Sequence, residues 1–262
     1  MNDEIKNIAY NTVNRIYKKI IKIKPLEYHK FGVKIGIGAD GTPTKYIDKI
    51  AEDIAINYIK KSKIKINILS EEAGFLDFHG EYTFVLDPID GTRNSVRGIP
   101  IYSISLAVGK RSMDDIDFGI VKNIPTGDLY IAEKGNGSYF NNKRISTPEI
   151  PENEMIFSFN NSNAIQNFDY RFNKLRSLGC ASLEMCMVAS GSIDIYAVTD
   201  EYLRVTDIAA SSLILKESGC FLTNIEGKKV NLDLNLDGRT SIIAACNMDL
   251  INDVITRCKN LK

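Results

Sequence analysis

The stretch LDPIDGTRN, residues 86–94, decides how the rest of this sequence is read. The strand-like run TFVL (83–86) leads into it. Asp87 and Asp90 then stand three positions apart across a turn that Pro88 restricts, so both carboxylates can point the same way at the end of a strand. Two carboxylates held that close repel each other unless a cation neutralises them. The Ile89 carbonyl between them is a further oxygen ligand for a hard ion such as magnesium. Gly91 and Thr92 follow, and a helix beginning there would present backbone N–H groups to an oxyanion. Taken alone, the segment also reads as a turn capped by two aspartates.

Two further segments supply carboxylates at element ends. ILSEEAG (68–74) closes a strand with Glu71 and Glu72, which by themselves would be a solvated pair. RVTDIAASSLILKESG (204–219) puts Asp207 in the first turn of a helix, where an aspartate is commonly a cap. Together the three segments gather at least four carboxylates where α/β active sites assemble. Gly36, Gly38 and Gly41 satisfy GxGxxG, but the acidic residue of a dinucleotide fingerprint, expected roughly 20 residues on, would fall inside a helix. A glycine-rich turn before a helix is the simpler reading.

Around these motifs the chain changes period. Residues 2–23 and 44–61 carry apolar residues at i, i+3, i+4 spacing and read as amphipathic helices. KINIL (65–69), TFVLD (83–87), SISLAVG (103–109), FGIVKN (118–123) and DLYIAEK (128–134) read as strands, and GNGSYFNNKRI (135–145) as a hairpin. TPEIPEN (147–153) reads as a connection between halves 1–147 and 148–262. Beyond it the pattern alternates: strand 155–160, helices 168–178 and 182–190, strand 193–198, helix 206–218, strand 241–246, helix 248–259.

Composition excludes several classes. The 262 residues are 44% hydrophobic and carry 33 basic against 33 acidic side chains, so no net positive field exists to draw nucleic acid. No apolar run reaches the ~18–20 residues of a membrane span, and the first residues show no signal-peptide pattern. Five cysteines without a CxxC and only two histidines argue against a zinc site and for reduced thiols in a cytoplasmic protein. A resident metal would be held by carboxylates, which favours magnesium.

SEE, then DPIDGT, then TDIAA in that order resemble the inositol monophosphatase / fructose-1,6-bisphosphatase superfamily of magnesium-dependent, lithium-sensitive phosphatases. The resemblance covers nearly the whole chain, and GADGTPTKYIDKIAED with IPIYS is most similar to archaeal dual-activity members. It implies a layered α-β-α-β-α sandwich with an N-terminal α+β half and a C-terminal α/β half. It implies two or three Mg2+ ions held by Glu71, Asp87, the Ile89 carbonyl, Asp90 and Asp207, with Asp40 as the ligand of a third ion and Asp48 as the alternative. Catalytic roles fall on Glu71, Thr92 and Asp90, with Thr92 and Glu71 orienting a water, and the phosphate cradle on the backbone of Gly91 and Thr92. Asp200 stands where inositol phosphatases carry a sugar-binding glutamate, and Arg204 is positioned for a second phosphate. Glu184 and Arg97 complete the candidate substrate contacts. The expected substrate is a small phosphorylated sugar or polyol, fructose 1,6-bisphosphate or inositol 1-phosphate. The alternatives are NADP or another nucleotide, or a catalytically silent binding subunit. A homodimer with no nucleic-acid or membrane partner is expected.

Overall fold

The computed structural model describes residues 1–147, 155–160 and 174–259. Helix α1 (Asp3–Glu27) starts where the Asn2 side chain accepts the Glu4 N–H, with Asp3 and Glu4 in the first turn. It turns Ile5, Ile8, Ala9, Val13, Ile16 and Ile20 inward. Pro25 does not end it: the proline removes one N–H in the last turn, and the helix runs two residues further before the 3-10 turn Tyr28–Lys30. A two-stranded hairpin, β1 (Lys34–Ile37) and β2 (Pro43–Lys45), leads into α2 (Tyr46–Ile59). The GxGxxG run is therefore the turn of a hairpin, not a strand-to-helix nucleotide loop.

Among the described residues the large sheet has eight strands in the order β10-β9-β8-β7-β6-β5-β3-β4: β3 (Ile66–Ser70), β4 (Gly74–Leu76), β5 (Tyr82–Asp90), β6 (Ser103–Gly109), β7 (Phe118–Asn123), β8 (Leu129–Glu133), β9 (Gly137–Phe140) and β10 (Lys143–Ile145). Short β4 is absent from the sequence reading because its three residues show no alternation. It exists because Gly74, at φ +73°, lets the chain fold back on β3. Helix α3 (Thr92–Arg97) follows β5 directly.

The second sheet has the order β12-β11-β13-β15-β14: β11 (Ile156–Phe159), β12 (Lys174–Arg176), β13 (Ile195–Leu203), β14 (Phe221–Thr223) and β15 (Thr240–Ala245). Helices α4 (Ala181–Ala189), α5 (Val205–Ser218) and α6 (Met248–Lys259) accompany it. The helix read over 168–178 is corrected at its end: Lys174–Arg176 is an edge strand pairing parallel with β11. The rest of that reading, and 148–153 of the connection, lie outside the described residues.

Three cores make five layers. One face of the eight-stranded sheet packs on α1 and α2 through Ile16, Ile20, Ile47, Phe84 and Leu106. Its other face meets α4 and α5 through Val85, Val121, Met185, Ile208 and Ile214, and Tyr196 and Ile242 of the second sheet close that core from beyond. Phe157, Phe159, Ile195 and Ile243 carry the far side of the second sheet onto Ile251 and Val254 of α6. Burying each such side chain contributes on the order of 1.5–3 kcal/mol. The order is α-β-α-β-α.

Candidate active site

Strand β5 continues to Asp90 rather than stopping at Asp87, and a bulge makes the continuation useful. Asp87 lies opposite Ser105 and Asp90 opposite Ser103, so three steps on β5 match two on β6. In a regular strand, residues three apart point to opposite faces. The extra residue returns Asp90 to the face of Asp87. Gly91 then takes φ +81°, and a Cβ there would come within 3.0 Å of the Ile101 carbonyl oxygen, so only glycine lets α3 start at once.

Glu71 leaves the end of β3, which pairs parallel with β5. Asp207 sits in the first turn of α5, where its Oδ2 accepts the Arg204 N–H at 2.7 Å. The helix end that needs an acid is thus the place that brings this one to the site. Glu71, Asp87 and Asp207 can each bring a carboxylate oxygen within 4.8 Å of the others. Burial, and then each other's charge, pushes the Asp87 carboxyl well up. Burial likewise pushes Glu71 up to about 8, against the pull of Arg204. Asp90 is pushed up by burial to about 6, moderated by Ser182, whose N–H and hydroxyl donate to its Oδ2 at 2.7 and 2.6 Å.

Arg204 occupies a different place from the one its sequence position suggests. Its guanidinium lies on the carboxylates: Nη2 is 2.9 Å from Glu71 Oε1 and 3.3 Å from Asp207 Oδ1, and Nη1 pairs with Asp40. In this arrangement its donors are engaged by these acids while the side chain lines the cavity. Asp40 reaches the cluster because the hairpin turn docks on the strand end, with Ala39 and Asp40 N–H groups donating to the Glu72 and Glu71 carbonyls at 2.9 and 3.2 Å. Burial raises the Asp40 carboxyl, but Thr42 and Arg204 outweigh it and hold it below its ordinary value.

Asp48 is placed otherwise than Asp40. On the first turn of α2, its Oδ1 lies 3.0 Å from the Thr92 hydroxyl, which is also 2.9 Å from the Ile89 carbonyl oxygen. Burial is the main cause that lifts its carboxyl to about 7, and Thr92 opposes the shift. The sequence held one hint of this partnership, an acid at N3 of a helix beginning just after the hairpin.

Glu184 is not on the cavity wall, which corrects its expected substrate contact. It is fully buried and accepts the N–H groups of Leu178, Gly179 and Cys180 at 3.1, 3.0 and 3.1 Å, with Ser158 and Asn160 as further donors. It thereby fixes the turn from which Cys180 and Ser182 grip Asp90. Arg97 and Asp200 are exposed and do not line the cavity. The cavity, about 660 Å³, is floored by Glu71, Asp90, Gly91, Thr92 and Asp207. One wall carries Asn160, Tyr196 and Tyr202, which the sequence reading missed because nothing in their spacing marks them.

The donor set fits a hard divalent cation. It consists of carboxylate oxygens with the Ile89 carbonyl beside them and contains neither histidine nor cysteine ligands. Among the described residues no helix is long and apolar enough to cross a membrane, and the five cysteines are free and buried.

Known proteins share this chain's sequence and fold. The sequence profile of the inositol monophosphatase family matches residues 1–258. A fructose-1,6-bisphosphatase/inositol-1-monophosphatase of Methanothermobacter thermautotrophicus is 40% identical over 236 residues, 84% of each chain. A bifunctional NADP phosphatase/NAD kinase of Methanococcus maripaludis is 38% identical over 94% of this chain, which spans only 48% of that protein. A solved inositol monophosphatase–fructose 1,6 bisphosphatase superposes with TM-score 0.87 at 31% identity, covering 96% of this chain and 98% of the other.

Proposed function

The chain belongs to the inositol monophosphatase family, and from that premise we propose that it is a magnesium-dependent phosphatase releasing phosphate from a small sugar or polyol phosphate, fructose 1,6-bisphosphate or inositol 1-phosphate. The observation that carries the reading is the Asp48–Thr92 pair standing beside the Glu71–Asp87–Asp207 cluster. A site that merely binds metal or sugar phosphate has no need of a hydroxyl relayed to a carboxyl poised near 7.

Glu71, Asp87, the Ile89 carbonyl, Asp90 and Asp207 would hold two magnesium ions, with Asp40 as the candidate for a third. Bound there, the ions would neutralise the phosphoryl oxygens and make water a competent nucleophile near neutral pH. The protein's own part is orientation and proton movement. The Thr92 hydroxyl accepts a hydrogen bond from the attacking water while donating to Asp48, which takes the proton. Gly91 and Thr92 place their backbone at the phosphate. No side chain forms a covalent bond to phosphorus, so none of the cysteines is required.

Arg204 keeps the acidic cluster compensated before magnesium enters. Its donors become available to the substrate only as the cations take its place. The family resemblance also carries lithium sensitivity, a cytoplasmic location and a homodimer into this reading. A second reading, an NADP 2′-phosphatase, is favoured by the 38% identity to the bifunctional Methanococcus protein and by the exposed ring of Tyr202 on the cavity wall, which offers a face to a base. Phosphate release from fructose 1,6-bisphosphate, inositol 1-phosphate and NADP, each with magnesium and with or without lithium, tests both readings. Failure to release phosphate from any of them would refute the activity.

A further inference from the structure

Helix α5 is capped by Gly219 and strand β14 begins at Phe221, so Cys220 forms the corner between them. β14 pairs antiparallel with β15, with Leu222 opposite Ala244 and Phe221 opposite Ala245. The same register carried one residue further sets Cys220 opposite Cys246. Alternation along both strands turns the two cysteines to the face of Leu222 and Ala244, and both belong to the core that this face shares with α4 and α5. Directly opposed residues of an antiparallel pair have Cα atoms about 4.5–5.5 Å apart, inside the roughly 4.4–6.8 Å that a disulfide spans. The two side chains are also near enough that negative charge on Cys220 pushes the Cys246 thiol up. Both thiols are free.

Cys220 has a route to solvent. It lines a cavity of about 210 Å³ between the end of β8, α5 and β14, and the exposed Lys134, Lys216 and Lys229 line the same cavity. Asp114, the acid of that lining, is paired with Lys229.

We propose that Cys220 and Cys246 are a modification site, at which an anionic low-molecular-weight disulfide such as oxidised glutathione converts them into a cross-strand disulfide that staples the end of α5 to β15. Cys220, as thiolate, attacks one sulfur of the oxidant from the cavity, and one thiolate of the oxidant leaves. The Cys246 thiolate then attacks the Cys220 sulfur and expels the second. Two cysteine thiols are oxidised, one small disulfide is reduced to two thiols, and the cysteine protons pass to the released thiolates. The lysines of the cavity favour an anionic oxidant over a neutral one. Burial pushes both cysteine thiols above their ordinary value, so the exchange is slow at neutral pH and quickens as the pH rises. The end of α5 that is stapled lies roughly 16 Å from Asp207 along the helix, so no carboxylate of the metal cluster is displaced. Nothing in this step depends on the phosphatase activity.

The test incubates the protein with excess oxidised glutathione at about pH 8.5, alkylates the remaining thiols under denaturing conditions and maps the peptides by mass spectrometry without reduction. The expected product joins the peptides of Cys220 and Cys246 and separates on treatment with dithiothreitol. Cys246→Ala should stop at a mixed disulfide on Cys220, and Cys220→Ala should form neither product. The cross-link closes the loop 220–246 and should raise the thermal midpoint in EDTA by roughly 5–10 °C, a gain that dithiothreitol reverses. Should either variant fail to fold, the wild-type map and midpoint decide by themselves. No cross-link, a cross-link between other cysteines, or a mixed disulfide on Cys220 that persists beside a free Cys246 would overturn the site. A cross-linked form whose midpoint is unchanged or lower would overturn the staple.

Discussion

Replacing Arg204 by glutamine should make the metal-free protein markedly less stable and the magnesium-loaded protein nearly normal. The side chain is 15% exposed and its guanidinium contacts Asp40, Glu71 and Asp207. Removing one partner of a buried ion pair costs about 3–5 kcal/mol, because the remaining charge is uncompensated. The cost is smaller here, since burial lifts Glu71 to about 8, so that carboxyl is already largely protonated at pH 7.5. A loss of about 2–4 kcal/mol at pH 7.5 follows, or roughly 5–15 °C in midpoint at the 2–4 °C per kcal/mol typical of chains this large. Magnesium supplies the missing positive charge, so saturating metal should remove most of the gap. The same substitution spares the incoming ion the displacement of a guanidinium and should tighten magnesium binding about tenfold, equivalent to about 1.4 kcal/mol. Thermal unfolding in EDTA and in magnesium, with calorimetric titration of magnesium, measures both effects. An equal destabilisation in the two conditions, or weaker magnesium binding, would refute the reasoning and leave Arg204 as ordinary packing.

Further consequences can be measured independently. Thr92→Val should lower kcat by about 10²-fold or more, the typical size of a lost proton-transfer partner, with magnesium affinity little changed; an unaltered kcat would remove the Asp48–Thr92 relay. Stability of the metal-free protein should fall as pH rises from about 5 to 8. Asp90, Asp48 and Glu71 titrate near 6, 7 and 8 when folded, above their ordinary carboxylate values, so the native state binds more protons than the unfolded state across that window. Urea unfolding in EDTA should show this slope, magnesium should flatten or reverse it, and a rising slope in EDTA would contradict the burial argument. Glu184→Gln puts an amide against three backbone N–H groups. It should cost about 1–3 kcal/mol and lower kcat by loosening the turn that holds Asp90, visible as a joint drop in midpoint and activity.

The sequence was legible where a local rule and the tertiary demand coincided. Asp207 reads as a first-turn acid and is one, and that cap is what delivers it to the cluster. The eight-residue arc from Asp87 to Asn94 was readable as a carboxylate turn, but not as a bulge. The register slip between Asp87 and Asp90 is fixed by Ser103 and Ser105 on a strand met later in the chain. Arg204 could be placed near the site by its distance from Asp207, yet not onto the carboxylates. That placement depends on Asp40 arriving from a hairpin 164 residues away in sequence. Glu184 looked like a polar residue available to substrate, because its three N–H donors are backbone groups and leave no mark in residue types. Lys174–Arg176 was read as helix since an edge strand of three residues carries no period of its own.

The most direct test of the central claim is phosphate release from fructose 1,6-bisphosphate and inositol 1-phosphate by the wild type and by Asp87→Asn, in EDTA and after readdition of magnesium. The account predicts release by the wild type with magnesium, none in EDTA, recovery on readdition, and a loss of at least about 10²-fold in the variant under all conditions. Undiminished release in EDTA, or near-normal release by Asp87→Asn, would contradict it.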